Sequence, residues 1–149
     1  GATTLWEHWR AGDSSIHNSF LAIGGWFYSG LAGILPDPNS PGFRHVIIRP
    51  QPVPGVTWAK ATFASMYGAI ESRWEVDGSR FKIEVAIPPH STATIYVPAA
   101  SLESVTEGGK PVAAATGVHR VGMQAGRAVF QLQSGRYCFV TTMAPQSAQ

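Results

Sequence analysis

The feature that most constrains the fold is the segment "GAIESRWEVDGSRFKIEVAIPP", residues 68–89, in which apolar and polar residues alternate twice. A period of two is typical of β-strands with one buried face. The two runs flank Asp77-Gly78, a dipeptide that favours two-residue hairpin turns. The segment therefore predicts an antiparallel hairpin. Its inward-facing positions are Ile70, Ser72, Trp74, Val76, Phe81, Ile83 and Val85.

A turn centred on Asp77-Gly78 also predicts the register of this hairpin. It places Trp74 opposite Phe81 and Glu75 opposite Arg80. The first pair is apolar and the second joins an acid to a base, so one register satisfies both faces.

The rest of the chain after residue 40 repeats this pattern of short strands and turns. Sixteen Gly and eleven Pro among 149 residues are too many for a helical bundle and suit many tight turns. About eight strands at this spacing predict a mostly β protein, an antiparallel β-sandwich or jelly roll over residues 41–149. Further strands are expected at "RHVIIRP", "VTWAKATFAS", "TATIYVP", "VHRV", "AVFQL" and "RYCFVTT".

Residues 1–40 have a different pattern. Apolar residues at spacings of three and four predict a helix that Gly33 and Pro36 end, followed by the linker "LPDPNSPGF". The helix is apolar on most sides, so it needs a partner surface. Its apolar stripe comprises Phe20, Ile23, Trp26, Phe27, Leu31 and Ile34.

Composition narrows the range of partners. A net charge of +2 without a basic run argues against nucleic acid. The longest apolar stretch is short for a membrane span and rich in glycine, which argues against a membrane. The single Cys138 lies in a strand-like segment and is interpreted as a core residue. The five histidines lack metal-ligand spacing, so no metal is expected; His45 and His119 are interpreted as sheet-face residues and His90 as a turn residue.

One carboxylate stands out as a candidate catalytic group. Glu7 lies in "LWEHW", beside Trp6, His8 and Trp9. Indole rings shape sugar subsites and reduce hydration of a neighbouring acid, which raises its pKa toward a useful value. The structural alternative is that both tryptophans are core anchors and Glu7 is a surface acid. His17 precedes the apolar helix and can reach the same place.

The hairpin acids are weaker candidates. Glu71 and Glu75 share a strand face, but four residues separate their backbones by about 13 Å. That separation exceeds the 6.5 to 9.5 Å, roughly, between the two carboxylates of an inverting glycosidase. They are interpreted as solvated partners of Arg73, Arg80 and Lys82.

Four blocks in order resemble the C-terminal end of bacterial α-L-rhamnosidases, glycoside hydrolase family 78. They are "GATTLWEHW", "SIHNSFLAIGGWFYSGLAGI", "PGFRHVIIRPQPV" and "TWAKATFASMYGAIESRWEVDG". The resemblance is strong over residues 1–78 and continues more weakly to about residue 142.

The resemblance implies a β-sandwich that follows an (α/α)6 catalytic barrel, with residues 1–40 as the terminal barrel segment plus linker. Such enzymes release terminal α-L-rhamnose from rhamnose-containing glycosides or oligosaccharides by inversion, without a cofactor. Carried over by motif, Glu7 is the general base, His17 lines the rhamnose subsite, and Trp6 and Trp9 form aromatic walls. The general acid lies upstream, in the barrel.

We therefore expect the chain to be the C-terminal fragment of such an enzyme, inactive alone, stabilising its parent barrel and prone to self-association. Two alternatives stay open. One is an independent carbohydrate-binding module that uses exposed Trp and Tyr. The other is a small self-sufficient glycoside hydrolase that pairs Glu7 with Asp13 or Asp37.

Overall fold

The computed structural model describes residues 21–143, which form two packed β-sheets preceded by one short helical segment. The helical segment comprises helix α1 (Leu21–Trp26) and a π-helical turn (Phe27–Leu31). Two 3-10 turns, Pro41–Phe43 and Val112–Ala114, lie between strands. The strands are β1 (Ile34–Pro36), β2 (His45–Ile48), β3 (Trp58–Ser65), β4 (Gly68–Asp77), β5 (Arg80–Ile87), β6 (Thr92–Pro98), β7 (Thr106–Glu107), β8 (Lys110–Pro111), β9 (Val118–Gln124), β10 (Arg127–Leu132) and β11 (Gly135–Thr142).

The first sheet has the order β1-β2-β6-β10-β9, and the second has the order β3-β4-β5-β11-β7-β8. Every pairing is antiparallel except that of β2 with β6. The prediction of a mostly β sandwich with an N-terminal helical segment is confirmed. No helix among residues 21–143 combines the length and apolarity that crossing a bilayer requires.

Large side chains from both sheets fill the space between them. Trp74 and Phe81 stack in the second sheet with ring centroids 6.2 Å apart. Phe130 of the first sheet stacks on Phe139 of the second at 5.5 Å. All four are buried. Aromatic burial of this extent contributes several kcal/mol to folding, so the sandwich has a core of its own.

The predicted hairpin is present, but its register differs. Trp74 pairs with Ile83 and Glu75 with Lys82, because the two-residue turn is Gly78-Ser79 rather than Asp77-Gly78. Gly78 adopts a φ of 57°, which a turn of this type requires. Moving the turn by one residue shifts the pairing by two, so every side chain keeps its predicted face.

The helix also ends earlier than its apolar stripe predicts. The helical segment stops at Leu31, and Ile34 is a buried residue of β1 that pairs with Ile48. Gly33 accounts for the difference, since its φ of 75° turns the chain out of the helix and into the sheet. The sandwich thus includes residues that the sequence assigned to the linker before residue 40.

Cys138 is half-buried on the outer face of the second sheet, so its interpretation as a core residue is wrong. Alternation along β11 explains this, because Tyr137 and Phe139 occupy the inward positions on either side. Burial raises the pKa of the Cys138 thiol, which keeps it protonated and unreactive near neutral pH.

Candidate functional site

The four candidate site residues of the sequence analysis, Trp6, Glu7, Trp9 and His17, lie outside the described residues. Their roles therefore stay predictions. The described part of the chain instead presents a structural site, the junction at which the helical segment enters the sandwich.

Two buried side chains of β4 hold the end of the helical segment. The indole Nε1 of Trp74 donates a hydrogen bond to the Leu31 carbonyl at 2.8 Å. The Ser72 hydroxyl donates to the Ala32 carbonyl at 2.7 Å. Carbonyls at a helix end lack partners within the helix, so these side chains supply the capping donors. Both donors are fully buried, which makes each bond costly to lose.

The segment after β2 holds the junction from the other side. The backbone N–H of Arg49 donates to the Gly33 carbonyl at 2.8 Å, and that of Gln51 donates to the Gly30 carbonyl at 3.1 Å. A Cβ at Gly33 would lie 2.1 Å from the Pro50 nitrogen, so this close approach requires glycine. Four hydrogen bonds from two distant segments thus fix the direction in which the helical segment leaves the sandwich.

Beyond this anchored end, the helical segment exposes large apolar side chains. Trp26 and Phe27 are 44% and 52% exposed, and their rings meet edge to face at 5.8 Å. Ile23 and Tyr28 are exposed as well. Four large apolar side chains exposed within six residues form the kind of surface that marks an interaction site. We call Ile23, Trp26, Phe27 and Tyr28 the aromatic patch.

The carboxylates of the hairpin lie on the outer face of the second sheet. Glu75 pairs with Arg73 at 3.7 Å and with Lys82 at 3.5 Å, as the sequence predicted. Glu71 instead forms a bidentate pair with Arg136, whose Nη1 and Nη2 each lie 3.1 Å from a carboxylate oxygen. Both acids are thus engaged with cations in a solvated ladder.

The histidines among residues 21–143 lie on strands or in a turn, and Asp37 lies in a turn. His45 lies half-buried on the first sheet, with Nδ1 2.7 Å from the Thr92 hydroxyl and Nε2 2.8 Å from the Thr94 hydroxyl. His119 is exposed on β9, and His90 lies in a turn with a φ of 62°, as predicted. Asp37 accepts the Asn39 N–H at 2.9 Å, which is an Asx turn. Within residues 21–143, no three His, Cys, Asp or Glu side chains form a metal-binding group.

Sequence reasoning missed the role of Ser72 and Trp74 in the junction. A signal was present, because Ser72 is a polar residue at an inward position of an otherwise apolar alternation. A buried hydroxyl requires a hydrogen-bond partner. The sequence could have indicated that some carbonyl approaches this face of β4, but not which one.

The two sheets form a β-sandwich domain. A helical segment precedes the sandwich in the chain and is fixed to it by the hydrogen bonds of the junction. Residues 33–111 match the family described as bacterial alpha-L-rhamnosidase C-terminal domain, and the match begins at Gly33 of the junction. The chain belongs to this family.

Relatives of the chain are much longer proteins. An alpha-L-rhamnosidase of Streptomyces avermitilis is 33% identical over 150 residues, which cover 93% of this chain and 14% of the relative. An alpha-L-rhamnosidase of Formosa agariphila is 34% identical over 116 residues, covering 70% of this chain and 12% of the relative. The chain therefore spans about an eighth of the length of these relatives.

Two solved structures share the fold. The Streptomyces avermitilis alpha-L-rhamnosidase, crystallised with L-rhamnose, superimposes with a TM-score of 0.74 at 34% identity, over 87% of this chain and 12% of that one. The alpha-L-rhamnosidase of Dictyoglumus thermophilum also has a TM-score of 0.74, at 28% identity, over 95% of this chain and 16% of that one.

Proposed function

We propose that the chain is the C-terminal part of an enzyme that releases terminal α-L-rhamnose from rhamnose-containing glycosides, and that its sandwich stabilises the catalytic barrel of that enzyme. The observation that carries this proposal is the junction. Buried Trp74 and Ser72 fix the helical segment on the sandwich, while the aromatic patch stays exposed among the described residues.

This geometry assigns the two parts of the helical segment to different proposed contacts. The anchored end of the helical segment belongs to the sandwich, and the aromatic patch packs against the barrel. Residues 1–40 then form the terminal barrel segment plus linker, although β1 already lies in the first sheet. Burial of the patch stabilises barrel and sandwich together, because apolar area is removed from water on both sides. A large apolar contact between two domains restricts their relative motion.

In the proposed reaction, Glu7 is the general base of an inverting hydrolysis. Its carboxylate takes a proton from a water molecule as that water attacks the anomeric carbon of rhamnose. A general acid in the barrel protonates the departing glycosidic oxygen as the C–O bond breaks. His17 binds the sugar, and Trp6 and Trp9 form the walls of its subsite. This chemistry needs no cofactor.

The chain alone is then inactive, because the base lacks its acid. We expect no hydrolysis of p-nitrophenyl α-L-rhamnoside by the chain and clear hydrolysis by the full-length enzyme that contains it. In that enzyme, Glu7→Gln should lower kcat by about a hundredfold to ten-thousandfold. Turnover by the isolated chain would contradict the proposal and favour the small self-sufficient hydrolase.

The stabilising role is tested separately in the full-length enzyme. Ser72→Ala leaves the Ala32 carbonyl without its donor, which costs about 1 to 3 kcal/mol. The residual activity after heating should fall, while kcat at low temperature stays unchanged. Ser134→Ala, an exposed serine on the same domain, is the matched control and should change stability by less than about 0.5 kcal/mol. Equal behaviour of the two variants would contradict a stabilising junction.

An independent carbohydrate-binding module has less support. Sugar-binding sandwich faces present two or three coplanar aromatics, whereas Trp58 is the one strongly exposed aromatic on the outer face of the second sheet among residues 21–143. Tyr67 lies in the turn between β3 and β4 rather than on that face.

A further inference from the structure

A groove on the first sheet, next to the junction, concentrates positive charge. It has a volume of about 450 Å³. Its polar lining comprises Arg49, Gln51, Tyr96, Gln124 and Arg127. No Asp or Glu is among its lining residues in the described part of the chain.

Strand pairing places both arginines beside Tyr96. Ile48 pairs with Ile95 in the parallel β2–β6 ladder, so Arg49 lies level with Tyr96, and its guanidinium carbon is 5.8 Å from the ring centroid. Arg127 pairs with Pro98, two residues along β6 on the same face as Tyr96. Strands β6 and β10 and the residue that follows β2 thus contribute to one polar cluster.

The fold fixes the side chain of Arg127 and the backbone of Arg49. The Nη1 of Arg127 donates to the Pro50 carbonyl at 2.9 Å. The backbone N–H of Arg49 donates to the Gly33 carbonyl, and its guanidinium carbon lies within cation–π range of the Tyr96 ring, 5.8 Å from the centroid. The Arg49 side chain is exposed, so its N–H donors are accessible to an anion. Because the Arg127 side chain is already held by its hydrogen bond, ordering it adds less to the entropic cost of binding.

The charge of the pair is not neutralised within the described residues. Neither Arg49 nor Arg127 lies within 4.0 Å of a carboxylate there, although five other ion pairs form on the same domain. Burial lowers the pKa of Arg127, and the neighbouring charge of Arg49 lowers it further. Two like charges in one groove repel each other, and a bound anion relieves that repulsion.

We propose that the Arg49–Arg127 groove binds a hydroxylated carboxylate of the sugar-acid class. A planar carboxylate matches the fork of a guanidinium. The amides of Gln51 and Gln124 and the hydroxyl of Tyr96 supply donors and acceptors for sugar hydroxyls. The groove is lined by residues other than the proposed catalytic ones, so sugar-acid binding is a property of the sandwich in addition to its proposed stabilising role.

The test is a calorimetric or NMR titration of the whole chain with D-glucuronate at low salt, with D-glucose as the matched neutral sugar. We expect saturable binding of glucuronate and no detectable binding of glucose. Arg49→Gln should weaken glucuronate binding about tenfold to a hundredfold, because one charge-assisted contact is lost. Arg49 is exposed, so this variant should fold normally. Arg120→Gln, an exposed arginine of β9 outside the groove, should leave binding unchanged.

Three results would overturn the proposal. They are an absence of saturable glucuronate binding, equal binding of glucose, and unchanged binding by Arg49→Gln. Tighter binding of inorganic phosphate than of glucuronate would also overturn it, since the groove would then recognise phosphate. An absence of sugar-acid binding would point to an acidic protein side chain as the partner of the arginines. None of these outcomes depends on rhamnosidase activity.

Discussion

Single residues at the junction have roles that depend on their immediate surroundings. Gly33 combines a left-handed backbone, with a φ of 75°, and a close approach to the backbone at Pro50. Gly78 has a similar φ of 57°, but a Cβ there would meet no atom within 4 Å. Substitutions at these two glycines therefore distinguish the cost of a left-handed backbone from the cost of a steric clash.

Gly33→Ala should destabilise the protein by about 3 to 5 kcal/mol, because the added methyl group must displace the Arg49–Pro50 backbone and disrupt the junction. Gly78→Ala should cost only the strain of a left-handed alanine, about 1 to 2 kcal/mol. Urea unfolding of both variants gives the comparison. Equal losses of stability would show that the close approach at Gly33 has no energetic effect.

At the scale of elements, the outer face of the β4–β5 hairpin carries a ladder of ion pairs. Lys82 lies 2.8 Å from Glu84 and 3.5 Å from Glu75. The hydrogen bond from Lys82 lowers the pKa of Glu84 below its usual 4.5, and the same bond raises the pKa of Lys82 above 10.5. These shifts mean that the pair favours the folded state when both groups are charged.

The pH dependence of stability follows from the signs of these shifts. The folded pKa of Glu84 is below the unfolded one, so its contribution is present above about pH 4.5 and is lost as pH falls through the lowered folded pKa. The contribution of Lys82 is present below about pH 10.5 and is lost as pH rises through its raised folded pKa. Between these limits the pair is intact.

Glu84→Gln should therefore lower the free energy of unfolding at pH 7 by at most about 0.5 kcal/mol, because the Glu84 side chain is 43% exposed and well screened. Well below pH 4.5 the difference between variant and wild type should vanish, since Glu84 is then protonated in both folded and unfolded states. Denaturant unfolding at pH 7 and well below pH 4.5 measures this difference in the free energy of unfolding. A difference that persists at the lower pH would assign the effect to packing instead of charge.

At the scale of the whole molecule, the sandwich is self-contained, whereas the helical segment is covered on one side only. The C-terminal end of the helical segment is hydrogen-bonded to buried side chains of β4, and the aromatic patch is exposed. An exposed apolar patch of this kind favours association with another apolar surface. In the isolated chain, we expect a second copy of the chain to provide that surface.

We therefore expect the isolated chain to self-associate with rising concentration in sedimentation velocity experiments. Phe27→Gln should shift the distribution toward monomer, because it removes an exposed ring from the patch. Trp58→Gln is the matched control, since Trp58 is even more exposed than Phe27 but lies on the outer face of the second sheet. A monomeric profile for the wild-type chain at all concentrations would contradict the expectation.

Local pattern was enough to predict most of the strands and their faces. Alternation in residues 68–89 identified both strands of the hairpin and their buried sides, because a period of two is a property of the strand itself. Four ordered blocks were enough to recognise the family, which the match over residues 33–111 confirms. The very short strands β7 and β8 escaped prediction, since two residues cannot establish a period.

Tertiary structure alone decided the exact position of one turn and the contacts between residues far apart in the chain. The hairpin turn lies one residue later than the sequence predicted, at Gly78-Ser79, which shifts the strand register by two residues. Ile34 joined a sheet because β2 offered it a partner, although its spacing suits a helix. The bond from Ser72 to Ala32 and the approach of Arg49 to Arg127 span 40 and 78 residues. Periodicity reports which side of an element is buried, but the identity of the group across the core depends on how the elements pack.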